Sequence, residues 1–307
     1  MKKIEVFGLQ TIPEIKPGDA LPKIVLDCAT QEGCGLKEKD IVVLTSKILS
    51  KSMGLMVKLE EVRPSEKAVA LGKQIGKDPR IIQLIWNLGH EIIAAIPVSG
   101  MVVDSILGDC TRRQEAGVLC DKEGAMCVTR DPAGRIFTQE SGIDGSNHPK
   151  GIVSIPPPDP DEAAEAVREE IRNLTGVNVA VIIADTELIG MGTLDVAIGS
   201  SGINPRPNYF GHTDSFGKPK FGGMDIVAHE LTCASALLFG QLTAAIPAVI
   251  VRGYECAFDE KATIANTLWG SAGTGQWRQL LKDTLRATAC VKPLPTRLAL
   301  KLLSWFV

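Results

Sequence analysis

Two short polar segments carry oxygen-bearing side chains in a pattern that could hold a divalent cation. The first, Ser141–His148, contains two glycines together with Asp144, Ser146 and Asn147. The second, Asp185-Thr186-Glu187, directly follows an apolar run that is typical of a buried strand. Carboxylates from two separate segments suit Mg²⁺ or Mn²⁺, which keep water or phosphate oxygens in the rest of their coordination shell. The structural alternatives are a side-chain-stabilised turn in the first segment and a helix-capping aspartate in the second.

A third polar segment carries two lysines that could bind phosphate. It runs from 45 to 51, directly after an apolar strand pattern, and includes Lys47 and Lys51 together with three hydroxyl side chains. The two lysines are four residues apart, so they share a face if the segment is helical. Solvated surface lysines are the alternative. The glycine-rich stretch 270–275 resembles an anion-binding helix start, but it lacks the Lys-Ser/Thr ending of a P-loop, so we predict an ordinary loop there.

The elements that must position these segments alternate between helices and buried strands. Apolar runs predict strands at 4–7, 40–44, 92–97, 177–184 and 245–251. Helical spacing and start signals predict helices at 19–28, 79–88, 163–174, 225–239 and 276–286, and one more that begins at Pro64-Ser65-Glu66. This alternation indicates a mixed α/β fold, in which ligands bind at the carboxyl ends of strands.

The composition argues against several classes of protein. The chain has 307 residues and a net charge of −3, whereas nucleic-acid-binding proteins neutralise phosphates with an excess of cationic side chains. No apolar run is long enough to span a bilayer, and no secretory leader pattern follows the first lysines. None of the eight cysteines forms a pair with the two-residue spacing of a zinc or redox motif. We therefore expect a cytoplasmic protein with reduced thiols, no membrane span and no nucleic-acid partner.

Taken together, these segments resemble the γ-glutamyl ligase family of deazaflavin coenzyme F420 biosynthesis. The matching pieces occur in the family's order between residues 12 and 253. They are Ile12-Pro13-Glu14-Ile15 with Gly18-Asp19, Ser46-Lys47-Ile48-Leu49-Ser50-Lys51, Pro64-Ser65-Glu66, Ser141–Asn147, Pro157-Pro158-Asp159-Pro160-Asp161, Asp185-Thr186, Asp195-Val196-Ala197-Ile198-Gly199, Gly211 with Asp214, Gly240-Gln241, and Ile246–Gly253.

The resemblance implies a fold, an assembly and a reaction. The fold would be α/β (α+β mixed), of the F420 γ-glutamyl ligase type, with two interleaved subdomains in an intertwined homodimer. Residues 1–291 would form the ligase-like domain, with an insertion at about 104–126, and residues 292–307 would form an apolar C-terminal tail. The reaction would use GTP and Mg²⁺ or Mn²⁺. It would activate a carboxylate as an acyl phosphate, which the amino group of L-glutamate then attacks.

The resemblance also assigns roles to individual residues. The family's metal-binding positions match Asp144, Asp185 and Thr186. Its nucleotide-contacting positions match Ile12, Pro13, Glu14, Ile15, Ser46, Lys47, Lys51, Asn147 and Gln241. After Asp185-Thr186 the chain lacks both arginines of the family pattern, so the identity of the carboxylate substrate is left open. The alternative function is that of a non-catalytic relative that binds nucleotide and metal as a sensor or partner subunit.

Overall fold

The computed structural model describes residues 2–98, 124–189, 192–240, 244–269 and 274–306. Gln241 and residues 104–123 of the predicted insertion lie outside this part of the chain. Two compact units are present, Met1–Leu268 and Trp269–Val307. The predicted 1–291 domain and 292–307 tail stay predictions, because compactness alone does not define a functional domain. Across the described ranges, no helix combines the length and the apolar character needed to cross a membrane.

Strands and helices alternate along the first unit, which confirms the predicted mixed α/β class. Its strands are β1 (Glu5–Gly8), β2 (Ile41–Thr45), β3 (Met56–Lys58), β4 (Glu91–Pro97), β5 (Ala125–Arg130), β6 (Ile136–Phe137), β7 (Ile152–Ser154), β8 (Ala180–Ile189), β9 (Gly192–Ser201) and β10 (Ala248–Arg252). Its helices are α1 (Leu21–Gln31), α2 (Ser46–Ser52), α3 (Glu66–Ile75), α4 (Pro79–Asn87), α5 (Pro160–Thr175) and α6 (Val227–Phe239). The second unit contains α7 (Thr274–Cys290) and α8 (Leu294–Phe306).

A five-stranded mixed sheet forms the centre of the first unit, in the order β1-β10-β2-β8-β9. Only the central pair, β2 and β8, is parallel within this sheet. Residues 41–44 and 180–183 are fully buried, as expected of apolar runs that show no alternation. Parallel strands need a long crossover connection. The chain between β2 and β8 provides it and also forms two smaller sheets, β3-β7 and β4-β5-β6.

Helices α1 and α5 pack their apolar faces onto this sheet. In α1, Leu21, Val25 and Cys28 are buried, and Ile24 is partly buried. These side chains share one hydrophobic cluster with Val167 and Ile171 of α5 and with the inward-facing residues of β2 and β8. Each aliphatic side chain that is fully buried in this way contributes about 1.5–3 kcal/mol. The cluster therefore holds the parallel β2–β8 pair in place.

Two helix starts show how local sequence sets the ends of elements. Ser65 caps α3 by accepting a hydrogen bond from the backbone N–H of Ala68 at 3.3 Å, as the start signal predicts. Helix α5 begins earlier than predicted, because Asp159 accepts hydrogen bonds from the N–H groups of residues 161 and 162. Pro160 occupies the first turn, where its missing N–H is tolerated. The predicted helix start at residue 163 is therefore three residues too late.

The strand that carries Asp185 is longer than predicted. The predicted end at Ala184 is wrong, because β9 folds back and pairs antiparallel with β8 as far as Ile189. The parallel partner β2 ends at Thr45, opposite Ala184. Asp185 is therefore the first residue of β8 beyond the carboxyl end of β2. Asp185 lies inside β8 and does not start a helix, so the helix-capping alternative is also wrong.

Two segments predicted as irregular are partly regular. Ala125 and Met126, at the end of the predicted insertion, begin β5 and pair with β4. The predicted helix 276–286 is confirmed and extends over Thr274–Cys290. Its first two residues belong to the glycine-rich stretch 270–275, so the predicted loop is wrong at those positions. A further helix, α8, follows α7 and contacts it.

We expect Gly199→Ala in β9 to destabilise the fold. A Cβ at position 199 would lie 2.3 Å from the carbonyl carbon and oxygen of Pro160, and the backbone at the start of α5 cannot move aside cheaply. The free energy of unfolding in urea should fall by about 2–3 kcal/mol. The control is Gly192→Ala in the same strand, where no atom lies within 4 Å of the added Cβ. Its stability should stay within about 0.5 kcal/mol of the parent. Equal losses in the two variants would contradict the packing argument.

Candidate active site

A cavity of about 410 Å³ lies beside the carboxyl end of β2. Its walls come from segment 12–15, the start of α2, the loop around Asp144, the middle of β8 and the chain that precedes β10. Every predicted site residue in the described part of the chain lines this cavity. These residues are Ile12, Pro13, Glu14, Ile15, Ser46, Lys47, Lys51, Asp144, Asn147, Asp185 and Thr186. Tertiary structure thus brings together predicted site residues from four separate segments, whereas Gln241 lies outside the described residues.

The two lysines of α2 line this cavity and do not project freely into solvent. Helix α2 follows β2 without an intervening loop, so the four-residue spacing places both lysines on one face. The Nζ of Lys47 lies 2.7 Å from Asp144 Oδ2 and 2.7 Å from Ser146 Oγ. The Nζ of Lys51 lies 2.6 Å from Glu14 Oε1, and Lys51 is only 8% exposed. The solvated-lysine alternative is therefore wrong for Lys51.

The Asp144 loop is held in shape by its own side chain. Asp144 Oδ1 accepts a hydrogen bond from the N–H of Ser146 at 2.6 Å, so the predicted side-chain-stabilised turn is confirmed. The Asp144 backbone pairs with Ser154 through two hydrogen bonds of 3.0 and 2.8 Å. Burial pushes the pKa of Asp144 upward, but the hydrogen bond and charge of Lys47 outweigh it and leave this pKa below its usual range. Asp144 is therefore an ionised carboxylate.

Asp185 is in the opposite electrostatic situation. Burial, with a further contribution from the negative charge of Glu187, raises the pKa of Asp185 to about 8. A hydrogen bond of 3.0 Å from the N–H of Thr186 to Oδ1 opposes this rise. Asp185 Oδ2 is shielded from solvent and has no hydrogen-bond partner among the described residues. A buried carboxylate oxygen in this state lacks the positive partner that would compensate its desolvation.

Gly142 makes room for this carboxylate. Its φ is +70°, and a Cβ at position 142 would lie 2.6 Å from Asp185 Oδ2. Any other residue would therefore be strained in its backbone and would crowd the oxygen. The glycines of the 141–148 segment thus allow the loop that carries Asp144 to approach the strand that carries Asp185.

Asp195 belongs to the same cavity, although the sequence did not single it out as a site residue. It lies opposite Thr186 in the β8–β9 register, and its Oδ1 accepts a hydrogen bond from Thr186 Oγ1 at 2.6 Å. Asp195 is largely buried and lines the cavity. An acidic residue directly before the apolar residues 196–198 is the signal that could have found it.

The donor set fits a hard divalent cation. Among the described residues, no three His, Cys, Asp or Glu side chains converge as a complete metal cage. Asp144, Asp185 and the Thr186 hydroxyl offer oxygen atoms to the same cavity from two segments, and Asp185 Oδ2 has no hydrogen-bond partner among the described residues. Mg²⁺ is commonly held by one or two carboxylates, with water and phosphate oxygens completing its shell. The residues present are therefore compatible with the predicted Mg²⁺ or Mn²⁺.

Two histidines, His229 and His148, have structural contacts. His229 Nδ1 accepts a hydrogen bond from the N–H of Ala197 at 3.2 Å, and burial lowers the pKa of His229. One ring nitrogen of His148, Nε2, lies 3.0 Å from Ser154 Oγ. Burial and the nearby positive charges of Lys51 and Lys47 lower the pKa of His148. Both rings are therefore neutral at physiological pH and stabilise neighbouring backbone or loops.

In an α/β fold, a cavity at the carboxyl end of a strand that is lined by carboxylates and lysines is where a charged ligand would bind. The model of a protein family described as F420-0:Gamma-glutamyl ligase matches residues 10–253 of the chain. The chain belongs to this family and is an amide-bond-forming ligase. The match ends before the second unit, Trp269–Val307.

Individual relatives cover most of the chain. The coenzyme F420:L-glutamate ligase of Methanosarcina mazei is 32% identical over 261 residues, which is 84% of this chain and 89% of the relative. The protein of the same name from Archaeoglobus fulgidus is 32% identical over 257 residues, covering 83% and 90%. The one from Methanothermobacter thermautotrophicus is 30% identical over 253 residues, covering 82% and 89%.

We expect Asp185→Asn to stabilise the protein in the absence of divalent cations. The pKa of Asp185 in the folded protein is about 8, whereas its unfolded value is ordinary. At low pH Asp185 is neutral in both the folded and the unfolded protein, and it does not reduce the free energy of unfolding. As the pH rises from the unfolded pKa toward 8, the unfolded protein ionises first, so the free energy of unfolding falls. At neutral pH the variant should gain about 1–3 kcal/mol in the free energy of unfolding.

Urea unfolding with a chelator present, near pH 5 and near pH 8, measures this effect. The gain should be larger at the higher pH, where more of the parent's Asp185 is charged. The matched control is Asp27→Asn, at a carboxylate that is 66% exposed on α1. Its stability should change by less than about 0.5 kcal/mol at both pH values. A gain that does not depend on pH would contradict the role given to the buried charge.

Proposed function

We propose that this ligase uses GTP and Mg²⁺ or Mn²⁺ to join L-glutamate to a carboxylate substrate through an acyl phosphate. The observation that carries the proposal is the convergence of Asp144, Asp185, Lys47 and Lys51 on one cavity in a member of a γ-glutamyl ligase family. The relatives are named for coenzyme F420 and L-glutamate, which supports glutamate as the amine. It also makes carboxylates of the F420 class the first acceptors to test.

The proposed chemistry consists of two transfers. In the first, a carboxylate oxygen of the acceptor attacks the γ-phosphorus of GTP, which forms an acyl phosphate and releases GDP. In the second, the amino group of glutamate attacks the acyl carbon, phosphate leaves, and the nitrogen loses a proton. A cation held by Asp144, Asp185 and the Thr186 hydroxyl would neutralise charge on the transferring phosphoryl oxygens.

The side chains of the cavity would mainly position and neutralise charged groups. Lys47 and Lys51 each have one carboxylate partner at present, Asp144 and Glu14. Phosphate oxygens could replace those partners, because an ammonium group exchanges one oxygen ligand for another at little cost. Asn147 has a φ of +54°, a conformation that Asn tolerates better than most residues. Its side chain would thus be presented from a fixed turn at the cavity rim.

The test is a phosphate-release assay with purified protein. GTP or ATP, Mn²⁺, L-glutamate and candidate carboxylates are supplied together and with each component omitted in turn. The proposal predicts phosphate release that needs the carboxylate, the nucleotide and the cation, together with an amide product in which the acceptor is joined to glutamate. Nucleotide binding without phosphate release for any carboxylate would favour the non-catalytic alternative.

We expect Asp144→Ala to abolish Mn²⁺-dependent nucleotide binding while the fold is kept. Removing one of two carboxylates should weaken Mn²⁺ affinity by more than about tenfold, measured by titration calorimetry with GTP present. Far-ultraviolet circular dichroism checks the fold. The control is Asp27→Ala, on the exposed side of α1, and its Mn²⁺ affinity should equal that of the parent. Unchanged Mn²⁺ affinity in Asp144→Ala would remove this residue from the cation site.

We also propose that the chain is a homodimer, with the segment between β9 and α6 in the interface. This segment contains a turn closed by a bridge between Thr213 and Pro219. It exposes Phe216 by 86% and Phe221 by 93%, and Phe210 packs edge-on against Phe221 with ring centroids 5.3 Å apart. Clustered exposed aromatic rings are typical of protein interfaces. Location in the cytoplasm stays a prediction.

We expect the double variant Phe216→Glu/Phe221→Glu to dissociate this dimer. Losing two exposed aromatic anchors should raise the dimer dissociation constant by about a hundredfold or more, measured by sedimentation equilibrium. Both side chains are exposed, so folding should be unaffected. The comparison variant is Leu174→Glu, a half-exposed position at the end of α5, which should not change the dissociation constant. A parent that sediments as a monomer would contradict the proposed assembly.

A further inference from the structure

Helix α8 carries an apolar stripe that no described part of the chain covers. Leu294, Leu298, Leu302 and Trp305 are all exposed. They are spaced three or four residues apart, so they lie along one face of the helix. Trp305 is 75% exposed, which is unusual for the largest apolar side chain. The stripe therefore needs an explanation other than packing within the described structure.

The inner side of α8 faces its partner helix. Ser304 is buried and Leu300 is partly buried, and the contacts of α8 within the second unit are made with α7. The turn between the two helices is held by Arg297, whose guanidinium donates hydrogen bonds to the carbonyl oxygens of Cys290 and Lys292 at 3.4 and 3.3 Å. The helix is thus fixed on one side, and the apolar stripe is on the side that α7 does not use.

The charged side chains of α8 and of the turn before it, Lys292, Arg297 and Lys301, are all positive. On α7, Arg286 is instead paired with Asp283 at 3.9 Å. The whole chain, by contrast, has a net charge of −3. Lys301 is exposed and lies at the edge of the same face, one turn from both Leu298 and Trp305. An apolar face bordered by basic side chains, with Trp and Leu on the apolar side, is typical of helices that lie in a membrane interface.

The charge and the length of α8 together indicate which kind of partner its apolar stripe binds. A second copy of this helix would bring basic side chains against basic side chains, which disfavours self-docking. An anionic lipid surface accepts both parts, because the apolar side chains enter the boundary between headgroups and acyl chains while lysines contact lipid phosphates. At 13 residues, α8 is about 20 Å long, too short to cross a hydrocarbon core of about 30 Å.

We propose that the second unit docks this ligase on anionic membrane surfaces through α8, which lies flat with the stripe of Leu294, Leu298, Leu302 and Trp305 in the interface. This surface lies beyond the family match at 10–253. It is also separate from the residues that line the cavity. Membrane docking is therefore an additional property of this chain, and it does not depend on the proposed reaction.

Vesicle flotation with the full chain tests the proposal, using vesicles that contain phosphatidylglycerol and vesicles of phosphatidylcholine alone. The decisive pair of variants is Leu298→Glu and Leu303→Glu. Leu298 is 54% exposed on the stripe, and Leu303 is 52% exposed on the opposite side of the same helix. Both substitutions change the net charge by the same amount, so a difference between them reports which face inserts.

The parent should float with phosphatidylglycerol vesicles, bind phosphatidylcholine vesicles more weakly, and dissociate as salt is added. Leu298→Glu should partition at least about tenfold more weakly than Leu303→Glu. Phosphate release, or nucleotide binding if no acceptor is found, should be unchanged in both variants. A parent that does not float, or two variants that bind equally, would overturn the proposal. The proposal would also be overturned if substitutions in the stripe changed only the self-association of the protein without vesicles.

Discussion

The partnerless carboxylate oxygen of Asp185 is the feature on which the rest of the cavity depends. The hydrophobic cluster under β2 and β8 holds this acid at the edge of the sheet, where burial raises its pKa to about 8. Gly142 allows the second acidic loop to approach it. Asp144 is kept ionised there by Lys47. One acid therefore has a lysine as its partner, whereas the other has an oxygen without a hydrogen-bond partner among the described residues.

This arrangement explains how a chain with a net charge of −3 could handle phosphates. Attraction for an anion does not require a basic surface when the compensating charge is local. Lys51 is largely buried, and Lys47 is held between Asp144 and Ser146. Phosphate oxygens and a cation would complete each other's shells in such a cavity. In the proposed reaction, the absence of the two family arginines after Thr186 would increase the dependence on the cation.

The second unit carries a different kind of surface. The cavity acts through buried polar groups with defined partners, whereas α8 offers exposed apolar side chains among basic ones. A buried polar site selects small charged ligands through geometry. A basic amphipathic helix binds the interface of an anionic membrane, because its apolar side chains need an apolar region and its basic side chains need an anionic one. The two surfaces can therefore be separated by substitution.

The sequence by itself determined the α/β class, most helices and strands, and the residue types available for chemistry. These features depend on interactions between residues that are close in sequence. The apolar runs at 41–44 and 180–183 are buried strands, and the Ser65 side chain caps the helix that starts directly after it. The resemblance to known ligases added the roles expected of Asp144 and Asp185. Residues 292–307 were expected to form an apolar C-terminal tail, and the sequence alone did not show which side of a helix would stay exposed.

Only the tertiary structure decided what surrounds each residue. Strand β8 runs past Ala184 because a distant strand, β9, supplies its hydrogen bonds. Lys51 is buried because segment 12–15 covers it and provides Glu14 as its partner. Asp195 joins the site through the β8–β9 register. Each outcome depends on pairing between residues that are remote in sequence, and propensities and capping signals extend over only a few residues. For that reason, the sequence shows which chemical groups are present, and the fold determines which of them lie close together.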